Sequence, residues 1–456
     1  MPLFQSINPA TGAVLETFEE TRPDELEQIL ARGDARAREW ARAPVPERAE
    51  HLKTAARLLR ERKDRYARTM ALEMGKPLAQ GAAEAEKCAW ACEYYAEHAA
   101  AMLADVPRPS DATRSYIRFE PLGVVFAIMP WNFPFWQVFR FAAPALAAGN
   151  AGLLKHAPNV SRCALAIEEV FHDAGFPEGL FRAVFLSNER AAEVIADPRV
   201  RAVTLTGSDR AGSQVAAQAG RHLKKTVLEL GGSDPFVVLE DADVDAAARV
   251  GAEARLINSG QSCIAAKRFL VVEAVADRFL ERFTAELARR KMGDPLDPAT
   301  ELGPQARTDL RANLHRQVLE SVARGARLVL GGTLPGGPGA FYPATVLLAV
   351  EPGMPAFDEE TFGPVAAVMR VADEAAAIRA ANRSVYGLGA SVWTRDGARG
   401  ERIARDLEVG SVFVNGLVKS DPRLPFGGVK RSGYGRELAE FGLREFVNVK
   451  SVWVGR

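Results

Sequence analysis

The chain is poor in the residues that build metal centres and disulfide frameworks. It has four cysteines and six histidines in 456 residues. Cys88, Cys92, Cys163 and Cys263 show no paired ligand spacing, so neither a metal site nor a disulfide scaffold is expected. Cys88 and Cys92, four apart on an apparent helix, read as packing residues. Net charge is also lacking: 58 basic residues balance 58 acidic ones, which argues against a nucleic-acid partner. No apolar run is long enough to cross a membrane, so no membrane partner is expected. The opening MPLFQSINPATG carries no basic segment followed by an apolar stretch. A cytoplasmic location is therefore the expectation. The Gly-x-Gly-x-x-Gly phosphate fingerprint and any internal repeat are absent as well.

What remains is the composition of an ordinary globular protein, 48% hydrophobic and 25% charged, long enough for two or three domains. Residues 1–20 read as an extended arm with a turn at Asn8–Gly12. Helical periodicity follows over Asp24–Trp40 and Pro46–Met74, ended by Gly75-Lys76-Pro77, and again to about Leu103. Ser115–Glu120 alternates apolar and polar residues as a half-exposed strand does.

The pattern then becomes strand–helix alternation. Strands are expected at Val124–Met129, Gly152–Lys155, Ala183–Leu186, Ala202–Thr206 and Thr226–Leu230. The helices between them are Trp136–Ala148, Ser161–Asp173 and Asp209–Ala219. Such alternation implies an α/β fold with a parallel sheet covered on both faces, whose ligands sit at the carboxyl ends of the strands. Three of those ends carry polar residues that a packed core does not need. They are Asn132 in Met129-Pro130-Trp131-Asn132, Lys155, and Thr206-Gly207-Ser208 at the start of a helix. A helix N-terminus with a small hydroxyl residue suits a phosphate, although Thr-Gly-Ser is also a common cap. Together the three ends favour a nucleotide. A second α/β unit follows, with a helix at Val244–Ile257, a strand at Arg268–Val272, helices at Ala276–Arg290 and Asp309–Ala323, and strands near Leu328, Val365, Leu388 and Ser411. Phe446–Val454 alternates like Ser115–Glu120, and the two could pair to form an edge for a second subunit.

The chemistry centres on Glu229 to Cys263. Glu229 ends a strand that breaks on Gly231-Gly232, and Cys263 closes a loop of small residues. A cysteine there can attack an electrophilic carbon, and a carboxylate can act as a general base toward the thiol or toward water. An isolated cysteine is more often a buried inert thiol, so company decides.

That company is PWNFP, LLK, TGS, ELGG, GQSC, EETFGPV and PFGGVKRSGYGRE, in this order. The set resembles the aldehyde dehydrogenase superfamily, from Asn8 to the final strand, and within it the NAD(P)-dependent succinate-semialdehyde dehydrogenases. The resemblance implies a Rossmann-type nucleotide-binding domain (1–112 and 124–229) and an α/β catalytic domain (230–426). A small β bridging domain for oligomerisation (113–123 and 427–456) would complete a homodimer or homotetramer. It implies that Cys263 attacks a small aldehyde and that Asn132 and the Cys263 backbone N–H hold the oxyanion. Glu229 would activate the water that releases the acid. NAD or NADP would lie along Met129, Pro130, Trp131, Gly207 and Gly231. Lys155 and Glu360 would hold its riboses, Ser208 its pyrophosphate, and Phe362 its nicotinamide. Many NAD-preferring members carry a glutamate three positions after the lysine; Pro158 stands there, so NADP is not repelled. Arg140, eight residues after Asn132, would bind the distal carboxylate of the substrate, with Ser420 assisting and Arg423 as a further candidate. Glutarate semialdehyde, or a broad aldehyde range, is the alternative substrate reading. A CoA-acylating enzyme would not need Glu229, and an inactive structural homologue would not keep Cys263, Asn132 and Glu229 together.

Overall fold

Runs such as VVFAIM at Val124–Met129 can be buried along their whole length only in a sheet covered on both faces. A computed structural model, which describes residues 3–455, has two such sheets. In the first, Val124–Met129, Ala151–His156, Phe181–Ala183, Val200–Thr206 and Lys225–Glu229 pair in parallel. Their spatial order is Phe181–Ala183, Ala151–His156, Val124–Met129, Val200–Thr206, Lys225–Glu229, with antiparallel Gly433–Tyr434 at the far edge. The first three strands thus run outward in one direction, and the fourth starts again on the other side of the first. A crevice forms where the order reverses, outside the carboxyl ends of the two central strands. Those ends lead into Pro130–Asn132 and Gly207–Ser208.

The second sheet has seven strands, ordered Arg327–Leu330, Thr345–Leu348, Val365–Val371, Arg268–Val272, Pro235–Val238, Gly389–Trp393, Ser411–Val414. Only its first pair is antiparallel. The period-two alternation of a strand sends neighbours to opposite faces. Phe236, Val238, Phe269 and Val271 accordingly enter one core, and Val237, Leu239, Leu270 and Val272 enter the other.

The alternating segments at the two ends of the chain do pair. Val447–Val454 lies antiparallel to Arg114–Pro121, Val447 opposite Pro121 and Val454 opposite Arg114, with Val106–Pro107 on the other side. Val447–Val454 is the free edge and exposes Val449, Trp453 and Val454. The N-terminal arm is a hairpin, Leu3–Ile7 with Val14–Glu19. The single helix expected over Pro46–Met74 is two, Val45–Glu61 and Lys63–Met74, because Arg62 leaves the helical region at φ −110°, ψ 12°. Gly75, left-handed at φ 78°, ends the second of them. No described helix is long and apolar enough to cross a membrane.

Candidate active site

Cys263 is delivered by an unusual turn. The helix Val244–Leu256 gives way to Asn258, Ser259 and Gly260, all with positive φ (53°, 56° and 77°). Non-glycine residues hold that conformation only where their surroundings over-determine it. Here they do. Asn258 Nδ2 donates to the carbonyls of Asn132 (2.6 Å) and Gln261 (3.1 Å), and Ser259 Oγ accepts from the Gly303 N–H at 2.9 Å. A Cβ at Gly260 would lie 2.3 Å from the Gly363 backbone carbon, so the turn also needs a residue without one. Beyond the cysteine, Lys267 Nζ donates to the carbonyls of Ser262 (3.0 Å), Cys263 (2.8 Å) and Ala265 (3.3 Å) and straps the loop in place.

Cys263 and Asn132 wall one cavity of about 190 Å³, at the mouth of the sheet crevice. The Asn132 amide is held at both ends: Nδ2 donates to the Gln261 carbonyl at 3.1 Å, and Oδ1 accepts from Gln137 Nε2 at 3.0 Å. A side-chain amide has two N–H donors, so one stays free for a reacting oxygen. Burial pushes the Cys263 thiol up to about 12, against the pull of the Arg140 and Lys267 charges. Cys88, Cys92 and Cys163 are free, fully buried thiols, also raised by burial.

Glu229 ends its strand just before Leu230 and Gly231, which line the same cavity. Among the described residues its buried carboxyl finds no hydrogen-bond donor. Burial raises it well above the usual carboxylate range; Arg140 opposes the shift and Glu437 adds to it. Arg140 stands on the helix Trp136–Ala148, whose free N–H groups at Phe135 and Trp136 are capped by Glu84 Oε1 at 2.9 Å each. The Arg140 guanidinium, which the resemblance sets on the substrate's distal carboxylate, meets a carboxylate of the protein itself. Arg140 pairs with Glu437, both side chains at least 96% buried, and donates to Thr206 Oγ1 at 3.3 Å. Its charge thus lies among Cys263, Glu229 and Glu437 and already has a carboxylate.

On the other side of the crevice, Pro130, Trp131, Thr206, Gly207, Ser208, Gly231, Glu360 and Phe362 complete the cavity wall. Met129 is the last residue of the strand that leads there. Ser208 is the N-cap of the helix Asp209–Arg221, accepting from the Ala211 N–H at 3.2 Å, and its own O–H remains to donate. The Phe362 ring meets Trp131 edge-on, centroids 5.7 Å apart. Glu360 Oε1 accepts from the Gly232 N–H at 2.9 Å; burial raises its carboxyl, and Lys267 draws it back. Lys155 lies in a neighbouring cavity of about 250 Å³ with Ile128, Gln214 and Gln218. Burial lowers its ammonium, and among the described residues no acid pairs with it. A helix N-terminus between two cavities, with an unmatched ammonium in one and an aromatic wall in the other, fits a dinucleotide.

The third group of expected residues is divided. Ser420 is buried, and its Oγ accepts from Trp136 Nε1 at 2.9 Å and Lys87 Nζ at 2.8 Å. Arg423 is largely exposed and forks onto Asp421 (2.9 and 2.7 Å), with its guanidinium over Trp90, so the fold does not bring it to the site. Gln137, Asn258, Lys267 and Glu437 were not expected. Lys267 and Glu437 do lie within AAKRF and SGYGRE, but nothing in those strings says what they touch.

A profile of the aldehyde dehydrogenase family matches residues 2–452. The chain is 49% identical over 451 residues to a succinate semialdehyde dehydrogenase, NAD(P)+, of Escherichia coli, spanning 99% of this chain and 98% of that protein. It is 48% identical over 457 residues to succinate-semialdehyde dehydrogenase, NADP(+), of Mycobacterium bovis, covering 100% of both. The crystal structure of succinic semialdehyde dehydrogenase from Streptococcus pyogenes in complex with NADP+ matches with a TM-score of 0.97 at 38% identity, over 99% of this chain and 100% of that one. Given a cysteine and an amide in one cavity at the crevice of a nucleotide-binding sheet, and likeness over its whole length, the chain belongs to the aldehyde dehydrogenase family.

Proposed function

We propose that the protein oxidises succinate semialdehyde, or a similarly short carboxylated aldehyde, to the free acid with NAD or NADP. The observation that carries this reading is the shared cavity of Cys263, Asn132 and the Gly207–Ser208 strand end. Its relatives' names supply the substrate.

Cys263 loses its proton and its sulfur attacks the aldehyde carbon, placing negative charge on the former carbonyl oxygen. The free Asn132 N–H and the Cys263 backbone N–H receive that oxyanion; one such donor is worth about 3 kcal/mol. NAD or NADP would be held by Lys155, Ser208, Glu360 and the Trp131–Phe362 wall, and would supply the hydride acceptor for oxidation of the Cys263 adduct. A thioester on Cys263 results. Glu229 takes a proton from water, the oxygen of that water adds to the thioester carbon, and the C–S bond breaks to release acid and thiolate. Arg140 serves both steps by favouring the ionised forms of Cys263 and Glu229. This role differs from the one the resemblance implied; the Arg140 charge lowers both groups, while Glu437 works against it at Glu229. Pro158 is exposed beside the Lys155 strand end and brings no negative charge there, in keeping with use of NADP.

In the same reading residues 113–123 and 427–456 form the bridging unit, residues 1–112 and 124–229 the nucleotide-binding domain and residues 230–426 the catalytic one. The open edge at Val447–Val454 joins subunits into a homodimer or homotetramer. The cytoplasm suits its buried unpaired thiols. The reading is tested by initial rates for succinate semialdehyde, glutarate semialdehyde and butanal, each with NAD and with NADP. Highest kcat/KM for succinate semialdehyde is expected; a preference for butanal would overturn it.

A further inference from the structure

Lys267 does more than hold the Cys263 loop, because one of the carbonyls it holds belongs to the chemistry. Its side chain is 1% exposed. An ammonium has three N–H donors, and each has a carbonyl here: Ser262 at 3.0 Å, Cys263 at 2.8 Å and Ala265 at 3.3 Å. A neutral amine would turn its lone pair toward one of those oxygens, so the three together select the charged form. Burial works against that form. Glu360 favours it, with Oε1 3.6 Å from Nζ, and so does Asp234, whereas Arg255 opposes it. The main chain of Lys267 is anchored too: its N–H donates to the Asp234 carbonyl at 3.0 Å, in the segment that follows Glu229.

The Ser262 carbonyl and the Cys263 N–H are the two ends of one peptide unit. That unit is planar and trans, so its C=O and N–H point in opposite directions. A donor fixed on the carbonyl therefore fixes the aim of the N–H. A full positive charge on the oxygen side also draws electron density through the amide and makes the N–H a stronger donor. The next peptide unit, which carries the Cys263 carbonyl, is held by the same ammonium, so the cysteine is clamped on both sides. Among the described residues the Cys263 N–H donates to nothing. It is left for an oxygen in the cavity that Cys263 and Asn132 wall.

We propose that Lys267 is the positioning residue of the oxyanion site: through the Ser262 carbonyl it aims and polarises the Cys263 N–H. This deepens the proposed mechanism and rests on the Cys263 adduct. Lys267 touches no reacting atom. Its effect belongs to the step in which negative charge gathers on the aldehyde oxygen, and it is the same for charged and uncharged aldehydes.

The test compares two reactions of the same sulfur in the parent, Lys267→Met and Lys267→Arg. One is the rate of the first turnover with succinate semialdehyde and NADP, read as cofactor reduction in stopped flow. The other is alkylation of Cys263 by iodoacetamide at the same pH, followed by mass spectrometry of its peptide. Alkylation needs the thiolate but builds no oxyanion, so the ratio of the two rates removes any change in thiol acidity or access. Deleting an oxyanion donor outright slows such a reaction by about 10²–10³. With the donor weakened and less well aimed, Lys267→Met should lower the ratio by about ten- to a hundred-fold, with KM and cofactor affinity within a few-fold of the parent. Lys267→Arg, which keeps the charge and the donors, should recover much of the ratio. Tm is measured on the same preparations, and Lys267→Gln takes the place of Lys267→Met should the latter not fold. A ratio equal to that of the parent would overturn the Lys267 assignment alone. A parent that keeps its activity after Cys263 is alkylated would overturn the mechanism on which it rests.

Discussion

Replacing Arg140 by glutamine should impair the oxidation of every aldehyde, charged or not, and move the pH dependence. The guanidinium and the Glu437 carboxylate are 3% and 4% exposed. Removing one member of such a pair costs about 3–5 kcal/mol when the other stays charged. Glu437, already raised by burial, will escape part of that cost by taking up a proton. The Tm loss should therefore be small at low pH and grow as pH rises, since the unpaired charge then reappears. The catalytic effect has the same origin. Arg140 lowers both the Cys263 thiol and the Glu229 carboxyl, each held above its ordinary value by burial. Both groups act deprotonated, so the rate rises with pH, and without Arg140 the rise must move to higher pH. About 1.4 kcal/mol of lost interaction corresponds to one unit. A shift of about one unit or more is expected, with about a ten-fold or greater loss of kcat/KM at pH 7. The measurement is kcat/KM against pH for succinate semialdehyde and for butanal. An unmoved profile would refute the electrostatic role, and a loss confined to succinate semialdehyde would make Arg140 the carboxylate anchor after all.

Two further expectations concern the cofactor and the assembly. Pro158→Glu should weaken NADP more than NAD, because a carboxylate would then repel a 2′-phosphate; equal effects on the two KM values would contradict that placement of the ribose. Deleting residues 447–456 leaves Arg114–Pro121 without its long partner and should yield smaller or aggregated species on size exclusion. An unchanged oligomer would contradict the bridging role.

The elements that could be read from the sequence are those whose pattern is local. Trp136–Ala148, Ser161–Asp173 and Arg268–Val272 have the expected ends, because a proline turn, helical apolar spacing or an apolar run marks them. The break at Arg62 was hidden because apolar spacing continues across it, and one residue's dihedral angles leave no mark on that spacing. Thr345–Leu348 was missed because four residues, three of them apolar, are too few for either period to be recognised. In the site, Cys263 and Asn132 were legible as residue types at strand ends and loops. The partners that set their behaviour were not. Glu437 meets Arg140 from far along the chain, and Lys87 meets Ser420 across 333 positions. Such pairings are decided by the packing of whole elements, and no local motif encodes them. The apolar helix around Arg140 therefore carries no sign of its partner Glu437.

The central claim, a substrate acyl group carried by Cys263 and released by Glu229, is tested most directly on the Glu229→Gln protein. It would be mixed with succinate semialdehyde and NADP, quenched in acid during the first turnovers, and digested for mass spectrometry. A burst of reduced cofactor close to one per active site should precede slow turnover, and the Cys263 peptide should carry a succinyl group. A variant that turns over at the parent rate, or an unmodified Cys263 peptide after the burst, would contradict the account.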